Sequence, residues 1–242
     1  MATLCMDTAT DFGTIAVARR GEAVASHSWH SSARHGEHLF RYVDDVLERA
    51  GIVRGDIDSV GVSVGPGKFT SLRVGLSAAK GIALGLDLPI VGVSALRVLA
   101  RSPQGPESVV RVPLMNAYRG DLFVAAYDFE PRADDEVLSP TFGDPDTVFA
   151  QLHEAIAERP VILCGEGAQT HRDLAKAQLV GLLEPGSAAV AAPTPRALVA
   201  EVVHAFNTRG PDDLALLEPQ YLRPSDAKLP NKPLKIPPAA GS

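Results

Sequence analysis

The chain has 242 residues, 45% of them hydrophobic, and carries 23 Lys and Arg against 29 Asp and Glu, a formal net charge of −6. That is enough apolar material for one large core or two modest ones, and the acidic balance argues against a self-sufficient nucleic-acid binder, whose affinity comes mostly from neutralising phosphates. No apolar run reaches the ~18 residues of a membrane helix and no charged segment leads into one as in a secretory signal. Cys5 and Cys164 sit singly in apolar runs, which gives no disulfide framework or metal spacing and suits a reducing cytoplasm.

In chain order, residues 2–30 read as a strand meander: Leu4-Cys5-Met6-Asp7, a polar turn, Thr14–Ala18, then Ala23-Val24-Ala25. Leu39, Tyr42, Val43, Val46 and Leu47 fall at helical spacing and predict a helix over 35–50, stopped by Gly51. A strand over Ile57–Val64, a helix over Thr70–Leu86 capped by Thr70 or Ser71, and a strand over Ile90–Val93 follow. Ser94 is placed to cap a helix reaching about Arg101. Composition breaks at Ser102-Pro103-Gln104-Gly105-Pro106, the expected boundary between two lobes. Beyond it come strands near 109–116 and 121–128, an acidic loop from Glu130 to Glu136, a helix over 147–157, a strand at 161–164 and a helix over 169–177. A late helix starts at Pro195. The segment 224–242, with five prolines and little to bury, reads as a disordered tail. Its Lys228, Lys232 and Lys235 read as solvated charges in preference to an RNA contact.

Two Gly-rich loops carry the chemistry that the chain offers. Gly65-Pro66-Gly67 joins an apolar strand to an amphipathic helix, a unit suited to an anion such as phosphate or simply to a tight turn. It is neither a P-loop nor a dinucleotide fingerprint. Gly165-Glu166-Gly167 likewise follows the buried-type strand Val161–Cys164.

With Asp7 at the end of the first strand, these loops resemble the actin/Hsp70/sugar-kinase superfamily. The resemblance implies an α/β fold of two ribonuclease-H-like lobes gripping a nucleotide. Asp7-Thr8-Ala9-Thr10, Gly65-Pro66-Gly67-Lys68-Phe69-Thr70-Ser71-Leu72-Arg73-Val74-Gly75, Ala78-Ala79-Lys80-Gly81 and Pro89–Leu96 narrow this to the TsaB (YeaZ) family. Tyr118-Arg119-Gly120-Asp121 and Glu218-Pro219-Gln220-Tyr221-Leu222-Arg223 are further marks of it. The family resemblance implies a first lobe over 1–101 completed by the late helix 195–207, a reduced second lobe over 107–223, and the tail 224–242. It also implies a noncatalytic, cytoplasmic subunit of the tRNA threonylcarbamoyladenosine system. Such a subunit pairs directly with TsaD, meets TsaE and tRNA through the complex, and self-associates when free.

Asp7, Thr8, Gly65, Gly67, Gly165 and Gly167 are then a vestigial nucleotide site, with no cofactor or at most weak nucleotide binding. Asp7 either places metal and phosphate, as in active relatives, or satisfies the N–H groups of its own loop. Glu166 would repel an incoming nucleotide. No metal is expected, because Ser94-Ala95-Leu96-Arg97 stands where the catalytic paralogue has a His-x3-His pair. His35-Gly36-Glu37-His38 could bind metal from one helical face, but capping or interface use suits it better. The partner surface is expected on the first two helices, at His35, His38, Leu39 and Tyr42, and at Leu72, Gly75, Ala78, Ala79 and Ile82. The second of these helices is apolar on more than one side. The alternative reading is an autonomous ATP-dependent enzyme or a metallopeptidase-like protein of the same superfamily.

Overall fold

The structure, a computed structural model, describes residues 1–30, 35–103, 108–129, 136–183 and 192–223. The middle of the Pro/Gly break, nearly all of the acidic loop from Glu130, and the tail 224–242 lie outside the described residues.

The opening meander forms as its alternation predicts. Strands β1 (Ala2–Asp7), β2 (Phe12–Arg19) and β3 (Glu22–His30) pair antiparallel, and β4 (Ser59–Gly65) and β5 (Ile90–Ser94) add in parallel on the other side of β1. The resulting order, β3-β2-β1-β4-β5, is ribonuclease-H-like. Helices α1 (His35–Ala50) and α2 (Phe69–Leu86) cover one face of this sheet, burying Leu4, Met6, Ile15, Val60 and Val62. Helix α2 starts one residue before the expected Thr70. Lys68 is its N-cap, without a side-chain cap bond because an ammonium group has no acceptor to offer; the Lys68 N–H donates to the Ala9 carbonyl at 2.8 Å. The short α3 (Ala95–Arg101) is capped as expected by the Ser94 hydroxyl, which accepts from the Arg97 N–H.

The second sheet is smaller, with order β8-β7-β6-β9. It consists of β6 (Val110–Asn116), β7 (Leu122–Tyr127), β8 (Glu136–Gly143) and β9 (Val161–Cys164). The pairings repeat the first four strands of the other lobe, and the fifth place is held by a single parallel bridge from Leu182 to Val161. Helix α4 (Pro145–Ile156) begins earlier than expected because Asp144 caps it, and α5 (Glu166–Thr170) and α6 (Arg172–Gln178) replace one expected helix, broken at His171. Phe149, Leu152 and Leu163 centre this lobe's outer core.

The last helix, α7 (Pro195–Arg209), returns to the first sheet and covers its second face over Cys5, Ala16, Val91 and Val93. Its Glu201, 2% exposed, accepts hydrogen bonds from Arg97 and Arg101 of α3. A carboxylate buried this deeply is tolerable only when paired. The segment 211–223 then returns along the first sheet, where the Asp212 N–H donates to Ile90 O of β5 and the Gln220 N–H to Val64 O of β4.

Candidate functional site

Asp7 ends β1 between the lobes and is fully buried. Its Oδ1 accepts from the Ala9 N–H at 2.9 Å and its Oδ2 from the Ser63 hydroxyl at 2.5 Å. Its Oδ1 thus holds one N–H of its own loop and its Oδ2 a hydroxyl of β4. Burial pushes its pKa up, against the lowering pull of the two hydrogen bonds.

The glycines here are occupied in the same way: a Cβ on Gly65 would stand 2.7 Å from Gln220 O, one on Gly67 2.3 Å from Ala9 O, and Gly75, within α2, is as tightly placed. Gly75 lies against Thr8, where an added Cβ would stand 2.2 Å from Oγ1, and that hydroxyl donates to Ser71 O at 2.7 Å. Gly165 takes φ +95°, open to glycine at no cost, and its Cβ position falls 2.2 Å from Leu114 O. Both loops thus pack on their own sheets. Ala9, Leu72, Leu96, Leu99, Met115 and Phe123 close the space between the lobes as an apolar cluster.

What remains beside Asp7 and Glu166 is a void of about 10 Å³, room for about one water molecule. At its lip Lys68 pairs with Asp11 at 2.5 Å, and Glu166 stands nearby with its pKa raised, first by burial and then by Asp11. An incoming phosphate would meet two carboxylates there. Of the expected vestigial set, Asp7, Thr8, Gly65, Gly67, Gly165 and Gly167, Asp7 lines this void directly. The thiols are inert too: burial pushes Cys5 up to about 12 and Cys164 higher still.

Between helices α1 and α2 lies an apolar groove of about 330 Å³. Leu4, Val43, Leu47 and Ile57 floor it; Phe40, 56% exposed, and Leu86 stand at its walls. Gly81 and Gly85, four residues apart on α2, border it with nothing within 4 Å of a Cβ on either. An Asp44–Arg54 ion pair at 2.6 Å marks the rim.

The expected partner residues divide against this groove. Leu39, Leu72 and Ala79 are 0–1% exposed, Ala78 is 7% exposed, and Gly75 is buried against Thr8. These five face the chain's own interior, which corrects the expectation that they form an outward seam. The apolar excess of α2 has an internal cause: Ala79 packs on the first sheet, while Leu72 turns into the inter-lobe cluster.

Ile82 is half-buried and does line the groove. His38 is exposed, and Tyr42 stacks on His27 at 4.1 Å beside Trp29, on another side of α1. The side chain of His35 lies outside the described residues. Among the described residues, no group of three or more His, Cys, Asp or Glu is placed to hold a metal ion. Sequence reasoning missed Phe40 and Gly85. Their signal was present: Phe40 is apolar but off the 39/43/46/47 stripe, and Gly81 and Gly85 share one helix face.

Two mixed sheets of this order have the fold of the actin/Hsp70/sugar-kinase class. The activator of 2-hydroxyisocaproyl-CoA dehydratase from Clostridium difficile, solved with bound ADPNP, shares that fold at TM-score 0.51, with 14% identity over 86% of this chain and 95% of that one. A solved Pseudomonas aeruginosa protein described as similar to the peptidase YeaZ superposes at TM-score 0.76, with 23% identity over 92% of this chain and 99% of that one. The family model described as "TsaD: tRNA N6-adenosine threonylcarbamoyltransferase" matches residues 29–239. The tRNA threonylcarbamoyladenosine biosynthesis protein TsaB of Bacillus subtilis is 26% identical over 94% of this chain and 96% of its own length. The chain belongs to this tRNA threonylcarbamoyladenosine family, in its TsaB (YeaZ) branch. No helix among the described residues is long and apolar enough to cross a membrane.

Proposed function

We propose that this chain is a noncatalytic, cytoplasmic partner subunit that binds a TsaD-type transferase through the α1–α2 groove. In that role it supports transfer of threonylcarbamoyl from threonylcarbamoyl-adenylate to adenosine at position 37 of tRNA. TsaE acts through the same complex, and a second copy of the chain takes the groove when TsaD is absent. One observation carries the reading: the cleft where relatives of this class hold nucleotide is filled by the chain's own groups, while an apolar groove bordered by two glycines stands open. Side chains of a partner helix can enter such a groove closely, because no Cβ stands in the way at either glycine.

The test is co-expression with TsaD of the same organism, followed by co-purification and a modification assay with and without this chain. Pairing with TsaD and modification that depends on the chain are expected. Turnover of ATP or of threonylcarbamoyl-adenylate by this chain alone would overturn the noncatalytic reading, and absence of co-purification would overturn the pairing.

A further inference from the structure

Two sequence motifs, Tyr118–Asp121 and Glu218–Arg223, have no task in the cleft or in the groove, and the fold brings them together. Arg223 donates to the Tyr118 carbonyl, lies 3.5 Å from Asp121 and sits over the Tyr118 ring at 5.9 Å. Two residues earlier, Tyr221 stacks on Phe69 at 5.3 Å, and Arg73 lies 3.8 Å over the Phe69 ring while donating to the Tyr221 hydroxyl. Leu222, between them, turns inward to the inter-lobe cluster, so Tyr221 and Arg223 share the outer side.

Tyr118 is 75% exposed, Phe69 54% and Tyr221 44%. Large aromatic rings left this open beside arginines are unusual on a surface that has no partner. Arg119 also takes φ +68°, a left-handed conformation that a side-chain-bearing residue rarely adopts, in the turn that holds Tyr118 out. Around these rings stand Arg73, Arg119 and Arg223 against Asp121, a local positive balance on a chain of net charge −6.

We infer that this aromatic–arginine surface contacts RNA directly, stacking unpaired nucleotides on Tyr118 and Phe69 while the arginines meet the adjoining phosphates. Stacking platforms beside guanidinium groups are how proteins hold single-stranded nucleic acid with little sequence preference. A protein partner would be expected to prefer the apolar groove. The choice of RNA rests on the reading of the chain as part of a tRNA-modifying complex.

The test measures fluorescence anisotropy of an unmodified tRNA transcript and of single-stranded oligoadenylate. Titrations are run with the chain alone and with its complex with TsaD, at two salt concentrations. Tyr118→Ala is expected to weaken binding about fivefold to tenfold and Tyr118→Phe to leave it unchanged. Arg119→Gln should flatten the salt dependence. Co-purification with TsaD should be unaffected, which separates failure of RNA contact from failure of pairing. Tyr118 is exposed, so its replacement should leave the unfolding midpoint in place. Unchanged RNA affinity in both Tyr118→Ala and Phe69→Ala would overturn the inference. So would loss of TsaD co-purification in Tyr118→Ala, which would make the surface a protein interface.

Discussion

Helix α2 takes part in both the closed cleft and the open groove, and its two ends behave oppositely. At the N-terminal end, Gly75 has no spare space because Thr8 fills it, and Leu72 is sealed between the lobes. At the C-terminal end, Gly81 and Gly85 meet nothing, and Leu84 and Leu86 face outward. The same residue type, small and flexible, thus serves internal close packing at one end and leaves vacant surface at the other. A motif's glycines report a function only once their neighbours are known.

The sharpest way to break this contrast is a charge in the groove. Gly81→Glu should abolish pairing with TsaD, since a carboxylate shut without a partner in an apolar seam costs several kcal/mol, about a hundredfold or more in affinity. The fold should be retained, because the position is open; co-purification and circular dichroism check the two halves. A Gly81→Glu protein that still pairs would place the interface elsewhere.

Gly75→Ala tests the closed end. Its new methyl group would collide with Thr8, and overpacking of this kind costs about 1–3 kcal/mol, read as a lowered unfolding midpoint. An unchanged midpoint would mean that the Thr8 contact yields easily and that the end is less tightly closed than it stands.

The pH dependence of the closed end follows from Asp7. Burial raises its native pKa above the unfolded value, so its neutral form is favoured by folding. The associated stability is fully present below the ordinary aspartate range and is lost as pH rises through the raised native value. Thermal unfolding of Asp7→Asn should be flat across that window, with its advantage over the parent growing toward neutral pH. A parallel pH profile for the two proteins would contradict the assignment.

The smallest expected effect is at the open end. Gly85→Ala should stabilise the isolated chain by up to ~1 kcal/mol through helix propensity alone, visible as a raised midpoint, where the same change at Gly75 lowers it.

Much of this was legible in the residues. The strand–loop–helix unit around Gly65–Gly67, the Ser94 cap and the late helix carry strong local signals: alternation, a capping hydroxyl, Pro at a helix start. Strand β8 was not legible. Its run Glu136–Gly143 contains Pro140, has no fully buried residue and sits at a sheet edge, where pairing with β7 rather than pattern decides its state. Asp7 could not be resolved from sequence either. Its partners are a neighbouring amide and a hydroxyl from a strand 56 residues away, and only the fold brings the latter within reach. Five of the expected partner residues lie inside for a related reason, since periodicity counts apolar sides of a helix without saying whether the chain itself covers them.

The return of α7 to the first sheet has a consequence for how the molecule is made. Cys5, Ala16, Val91 and Val93 emerge early in synthesis, yet the helix that shields them is encoded after the whole second sheet. The second lobe holds its core residues between Val110 and Leu179, so it can close while the first still shows a bare apolar face. The part translated first is therefore finished last. A product ending before Thr194 would keep one complete lobe and one sticky sheet, the kind of surface that draws chaperones or aggregates.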